Sequence, residues 1–166
     1  MLGVEIREIR EDEVESLADL TVRVYEAIDA TEGGEYLPHL RDVAGRMQTC
    51  TVLVAVEDGA VIGGVAYVPG PGEWSDRAKE GEAEFRMLVV DPDHQRKGVG
   101  EALTQACIDL ARRDERDLVI LSQRSLTAAH RLYDRLGFVR APDRDWYISP
   151  EVDLLCFTLT LPRARP

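Results

Sequence analysis

With 166 residues, a formal net charge of −11 (20 basic against 31 acidic) and 45% apolar content, the chain has the composition of a globular domain and not of a disordered one. A chain of this length buries roughly 70% of the surface its unfolded form exposes, so it needs no metal or disulfide to fold. The acidic balance runs against nucleic acid and anionic membrane surfaces as partners, and suits cationic ones.

Cys50, Cys107 and Cys156 form no CxxC pair and lie in apolar stretches, which reads as buried free thiols in a reducing, cytoplasmic compartment. The N-terminal segment is acidic and mixed, without the basic and apolar regions of a signal peptide. No apolar run approaches the ~18 residues of a membrane span.

In chain order, Val4, Ile6 and Ile9 among polar neighbours predict a first strand. Asp12, with Glu15 three residues on, predicts the cap of a helix whose apolar face is Val14, Leu17, Leu20, Val24 and Ala27. Residues 26–35, with a Gly-Gly break, read as a loop, and Leu37, Leu40, Val43, Ala44 and Met47 as one short second helix. Strands over 51–57 and 60–68 flank Asp58-Gly59, a hairpin signal. Residues 69–81 are polar and rich in glycine and proline, hence a loop.

A strand over 84–90 ends at Asp91-Pro92, and a helix over 98–113 presents Val99, Leu103, Ala106, Cys107, Leu110 and Ala111. Leu118–Leu121 reads as a buried strand, and Thr127–Leu136 as a helix stopped by Gly137. Strands over 146–148 and 152–161 close a single domain over 1–161, with 162–166 as a short tail. Hairpin strands early and strand–helix–strand later predict an α/β fold on a mixed sheet with flanking helices.

The segment with the most chemistry is Gln95-Arg96-Lys97-Gly98-Val99-Gly100, where a strand ends, the chain turns and a helix begins. A helix start offers backbone N–H groups without intrahelical partners and the positive end of the dipole. Diphosphate oxygens can accept those bonds, and glycines admit close approach. The spacing is neither that of a dinucleotide fingerprint nor that of a P-loop.

This segment resembles the Q/R-x-x-G-x-G/A signature of the GCN5-related N-acetyltransferase (GNAT) superfamily. Ala129-His130-Arg131-Leu132-Tyr133, running on to Gly137-Phe138, resembles that family's second signature. The resemblance implies the acyl-CoA N-acyltransferase fold and acetyl-CoA as co-substrate. The amides of Gln95, Arg96, Lys97, Gly98, Val99 and Gly100 would hold its pyrophosphate. Leu88, Val89 and Val90 would lie along its pantetheine arm, with a β-bulge near Met87 and an oxyanion contact from an N–H near Leu88 or Met87. Where family members often carry asparagine, this chain has Leu126, so that either Ser125 or Gln123 supplies a polar contact or the contact is absent.

The resemblance also makes Tyr133 the general acid for the leaving sulfur, since a phenol with an ordinary pKa near 10 stays protonated at neutral pH. Glu84 becomes the general base, with Glu82 and a water chain as rivals. A core aromatic and a solvated strand-end acid are the bland readings of Tyr133 and Glu84. The family's acceptor side falls here on Tyr25, Glu26, Asp29, Trp74 and Trp146, where acids beside aromatics suit a cationic amine. Trp74, in a polar loop, is a candidate lid or dimer contact. No metal is expected, as His39, His94 and His130 lack ligand spacing.

These readings lead to an N-acetyltransferase that acetylates a primary amine of a small molecule by direct attack in a ternary complex. A peptide or protein N-terminus is the second acceptor class, and a non-catalytic acyl-CoA-binding regulator the rival of another kind. Exposed sheet edges leave a homodimer open.

Overall fold

In the computed structural model, residues 3–28, 33–149 and 152–163 are described. The chain divides into two compact units, one of Met1–Tyr67 with Met87–Cys107, the other of Val68–Arg86 with Ile108–Pro166. Among the described residues the strands pair in the order β1-β2-β3-β4-β5-β8-β6, with β7 on β8. They are β1 (Val4–Glu8), β2 (Thr51–Glu57), β3 (Ala60–Pro69), β4 (Glu82–Val90), β5 (Asp117–Gln123), β6 (Val139–Arg140), β7 (Trp146–Ser149) and β8 (Val152–Leu159). The helices are α1 (Val14–Ile28), α2 (Gly33–Arg41), α3 (Val43–Thr49), α4 (Val99–Arg113) and α5 (Thr127–Arg135). Antiparallel ladders and the parallel β4–β5 pair make the sheet mixed, as the α/β reading expects.

In the first unit β1, β2 and β3 form an antiparallel meander. Asp58 and Gly59 take φ of 51° and 78°, the two left-handed residues of a tight hairpin turn. Leu17, Leu20 and Val24 of α1 pack on Val43 of α3, on Val52, Val54 and Val56 of β2, and on Val89 of β4. Two adjacent glycines in β3 let helices approach both faces. A Cβ on Gly63 would meet the Val89 carbonyl oxygen at 3.0 Å and Val99 Cγ1 of α4 at 3.2 Å, while one on Gly64 would strike Leu17 of α1.

The helix opening differs from the expectation at Asp12. A 3-10 turn, Glu11–Glu13, precedes α1. Glu13, not Asp12, closes it: Oε1 accepts from the Arg10 amide at 2.9 Å, and the carboxylate takes a bidentate pair from Arg7 at 2.8 and 2.7 Å. These bonds hold the Glu13 pKa down to about 2, with the Arg7 hydrogen bonds the largest cause. A depressed folded pKa contributes stability that is present above the unfolded value of 4.5 and is lost as pH falls through about 2. Urea midpoints taken across that window should therefore fall more steeply for the native chain than for Glu13→Gln; parallel curves would remove the linkage.

The predicted second helix is two. Asp42 interrupts it, and its carboxylate caps α3 by accepting from the Gly45 amide at 2.9 Å. Of the predicted loop over 26–35, residues 26–28 lie in α1 and 33–35 in α2. The four residues between lie outside the described residues. On α4 the buried face is Val99, Leu103, Thr104, Cys107, Ile108 and Ala111, with Ala106 and Leu110 half-buried.

In the second unit β5 lies parallel to the start of β4 (Glu82↔Asp117 to Glu84↔Val119) and antiparallel to β8. Gly137 takes φ of 95° after α5, the left-handed stop that the sequence marks. The two-residue β6, paired with β8, was not predicted, because two exposed residues show no alternation. Cys107 and Cys156 are buried, and burial pushes the Cys156 thiol up to about 11, so both are poor nucleophiles. Cys50, expected to be buried, is half-exposed at the end of α3.

Candidate functional site

The strand–turn–helix segment of the first unit is built tightly at its start. The Asp91 amide donates to the Ile62 carbonyl at 2.7 Å, and the Asp91 carboxylate accepts from the Asp93 amide at 2.9 Å across the 3-10 turn Pro92–His94. Gln95 turns its side chain back towards the Val90 carbonyl (3.5 Å). Arg96 and Gly98 then take φ of 67° and 81°. The first bond of α4 runs from the Ala102 amide to the Gly98 carbonyl at 3.0 Å, so the amides of the turn before it have no intrahelical partner. Val99 is 2% exposed and pins the helix start to the sheet, while Gln95, Arg96, Lys97 and Gly98 are exposed.

Among the described residues, four that are not glycine have positive φ. Asp58 belongs to the hairpin, and Glu115 to the end of α4, where the Arg116 amide returns to the Ala111 carbonyl. The other two, Met87 (54°) and Arg96, bracket Leu88, Val89 and Val90 and the turn after them. A side chain held in this region costs of order 1–3 kcal/mol, and such strain clusters at ligand-binding segments.

At the start of β4 Glu84 is 1% exposed. Its Oε1 accepts from the amides of Asp76, Arg77 and Ala78 at 2.9, 2.7 and 3.0 Å. Its Oε2 lies 3.7 Å from Arg86 Nε. The carboxylate therefore anchors the 70–81 loop, a role that alternation along a strand does not reveal. Burial raises its pKa above the ordinary value, against the opposing pull of the Arg77 and Ala78 amides and Arg86. Glu82 differs: both its oxygens take Arg144, at 2.9 and 2.8 Å. Burial pushes its pKa up, but Arg144 and the Lys79 amide outweigh it and hold the carboxyl below the ordinary range. That makes Glu82 the weaker proton acceptor of the two.

Tyr133 is 3% exposed on α5. Its ring packs edge-on to Phe85 of β4 (centroids 5.7 Å) and tilted against Phe138 and Phe157 (5.6 Å each). Nearby, His130 Nε2 lies 3.1 Å from Ser122 Oγ, and burial lowers the His130 pKa. Ser125 is exposed, and its carbonyl accepts from the Thr127 amide at the start of α5.

The expected acceptor residues that are described belong to both units. Tyr25 is half-buried against the α1–β2 core, Glu26 is exposed, and Asp29 lies outside the described residues. Trp74, the candidate lid or dimer contact, is 5% exposed. Its carbonyl accepts from Arg86 Nη1 at 2.7 Å, inside the loop's own packing. Trp146 already carries a cation: the Arg77 guanidinium lies 5.1 Å from its ring centroid. Sequence reasoning missed Arg86 and Arg144, which tie this loop. The one local signal was that Arg86 shares a strand face with Glu84. Among the described residues no cluster of His, Cys, Asp and Glu is arranged to hold a metal, and no helix is long and apolar enough to cross a membrane.

Comparison with known proteins agrees with this architecture. Solved structures share the fold at low identity. The yncA protein of Salmonella typhimurium, solved with its cofactor acetyl-CoA, superposes with a TM-score of 0.71 at 22% identity, over 99% of this chain and 97% of that one. A paia N-acetyltransferase of Thermoplasma acidophilum in complex with coenzyme A gives 0.72 at 14%, over 93% and 98%. An N-acetylaspartate synthetase of Danio rerio is 33% identical over 98 residues, 58% of this chain and 32% of that protein. A ribosomal protein bS18-alanine N-acetyltransferase of Escherichia coli (strain K12) is 42% identical over 67 residues, 40% of this chain and 45% of that protein. The match thus spans less than half the length of the synthetase and of the alanine N-acetyltransferase. The model of the acetyltransferase (GNAT) family matches residues 14–138, three-quarters of the chain and the whole run from α1 through both signatures, and the chain belongs to that family.

Proposed function

We propose that residues 1–161 act as one acetyl-CoA-dependent N-acetyltransferase domain that acetylates a primary amine of a small molecule. The observation that carries the cofactor is the left-handed turn at Arg96 and Gly98, which leaves the first amides of α4 without intrahelical partners beside open space. Nothing lies within 4 Å of a Cβ built on Gly98, and one on Gly100 would make only ordinary contact with Val90. The bare backbone leaves room for a ligand's close approach. The site fits a diphosphate: Gln95 to Gly100 would hold it, with Arg96 and Lys97 adding charge. Leu88 and Val90 would offer strand amides to the pantetheine arm, and Ser125 an exposed hydroxyl. The bound co-substrate would supply an activated acetyl group.

The residues of this chain supply the proton traffic. An amine of ordinary pKa near 10 is mostly charged at neutral pH and must be deprotonated. We assign that task to Glu84 through Oε2, the oxygen the loop amides leave; its raised pKa brings its proton affinity towards what a base needs. Tyr133 would give its phenolic proton to the leaving sulfur. The oxyanion would meet an N–H near Met87 or Leu88. Tyr25, Glu26, Asp29, Trp74 and Trp146 remain the proposed acceptor residues, with Trp74 acting as support from within its loop. A peptide N-terminus is the second acceptor class, favoured by the 42% identity to the alanine N-acetyltransferase. The free thiols agree with a cytoplasmic setting.

Mass-resolved acetyl transfer from acetyl-CoA to a pool of polyamines, amino acids, aminoglycosides and short peptides tests this reading. An acetylated product is expected, and Gly98→Val should abolish both transfer and acetyl-CoA binding, because a β-branched residue resists positive φ. CoA release no faster than in the amine-free blank, with acetyl-CoA bound, would favour the regulator reading.

A further inference from the structure

The second unit contains a polar cleft beside the loop that Glu84 anchors. Its volume is about 500 Å3, within the range of small-molecule sites, and Pro71, Gly72, residues 75–79, Asp143 and Arg144 line it. The walls are fixed. Glu84 takes the amides of Asp76, Arg77 and Ala78, and Arg86 pairs with Asp76 at 2.9 Å. Arg144 donates to the Arg77 carbonyl at 2.6 Å while it holds Glu82. The Arg116 guanidinium donates to the Gly70 and Glu82 carbonyls, and a Cβ on Gly70 would overlap Ala78 at the loop's neck.

Among the described residues, two cationic groups of this cleft have no acidic side-chain partner. Arg86 is shared between Asp76 and Glu84, and Arg144 is held by Glu82. Arg77 spends only Nε, on the Arg144 carbonyl at 3.2 Å, and its plane is set over Trp146. Among the described residues, the two Nη groups of Arg77 and the Nζ of Lys79 have no hydrogen bond or ion pair, and the one uncommitted acid is the exposed Asp143. Around the cleft Arg77, Lys79, Arg86 and Arg144 match Asp76, Glu82, Glu84 and Asp143 in number, so what the cleft offers an anion is the open outer fork of Arg77 and the Lys79 ammonium. A guanidinium whose plane is fixed and whose outer fork is open matches the two oxygens of a carboxylate or phosphate, and little ordering remains to be lost on binding.

We propose that this cleft is a binding site for a small anionic ligand, a carboxylate or a phosphate, received by the Arg77 fork and Lys79 Nζ. None of its residues belongs to the Gln95–Gly100 turn, so anion binding can be measured without acetyl-CoA, although Arg77 and its neighbours also hold Glu84 and cover Trp146. The ligand chemistry is opposite to the cationic partner that the overall charge suggests, because binding follows the groups that line a cleft and not the net charge of the chain.

Titration calorimetry with succinate and, separately, inorganic phosphate, each against chloride at constant ionic strength, tests it. Saturable binding of at least one anion is expected, and the tighter of the two identifies the oxyanion class. Arg77→Gln and Lys79→Gln should each weaken it by about tenfold, and Asp143→Asn should tighten it a few-fold by removing the only opposing uncommitted charge. Lys79 is exposed and makes no side-chain contact among those described, so its variant keeps the fold even where Arg77→Gln loosens the loop. Failure of both anions to saturate, or a dissociation constant that Lys79→Gln and Asp143→Asn leave unchanged, overturns the proposal. Because no acetyl-CoA is present, that failure leaves the acetyltransferase reading untouched.

Discussion

Tyr133→Phe should lower kcat for acetyl transfer by about 10²–10⁴-fold, the usual worth of a positioned proton donor, while leaving the Kd for acetyl-CoA nearly unchanged. The substitution removes only Oη. The ring keeps its contacts with Phe85, Phe138 and Phe157, each 5.6–5.7 Å between centroids, so the aromatic cluster and α5 stay in place. A loss confined to kcat would mean that the hydroxyl acts in the transition state and not in binding. The phenol's burial makes the test sharp, because bulk water has little access to the same position. A normal rate in the Phe variant would reduce Tyr133 to a core aromatic.

The second large effect is at Glu84, where stability and rate can be separated. Glu84→Ala leaves three loop amides without their acceptor and removes the carboxylate beside Arg86, which keeps Asp76 and the Trp74 carbonyl. Orphaned buried donors cost about 1–3 kcal/mol each, and breaking a buried pair about 3–5, so a loss on the order of 4 kcal/mol and about 10 °C in Tm is expected. Glu84→Gln retains a carbonyl oxygen for the three amides and should recover most of that stability. It cannot take a proton, so its rate should stay at least about a hundredfold low if Glu84 is the base. A Gln variant that is stable and fully active would leave the residue an anchor only.

The pH dependence has a definite sign. Burial raises the folded pKa of Glu84 above the ordinary 4.5. The group's linkage contribution is therefore fully present below 4.5 and is lost as pH rises through the folded value, while activity should rise along the same limb. Glu13 has the opposite sign, because its dominant influence is an arginine and not burial.

Local chemistry in the sequence determined a good deal. The Asp58-Gly59 hairpin, the helix stop at Gly137, the strand–turn–helix segment ending at Gly100 and the family resemblance were all readable from it. Each rests on a few neighbouring residues whose φ preferences or spacing act at short range. Element boundaries were set less well, since a capping carboxylate such as Asp42 splits a helix without altering its apolar period.

The tertiary structure alone decided what the charged residues do. Glu82 meets Arg144 across 62 positions and Arg77 meets Arg144 across 67, and no periodicity carries such pairings. Nor does alternation along β4 say that Glu84 faces a loop's amides instead of water, or that Trp146 is covered by an arginine of its own chain. The left-handed turn at Met87 was expected near that residue only from the resemblance, and its geometry appears only in the folded chain. Short-range backbone preference is written into each stretch of sequence, whereas the partner of a buried charge is chosen by which distant surfaces the fold brings within hydrogen-bond reach.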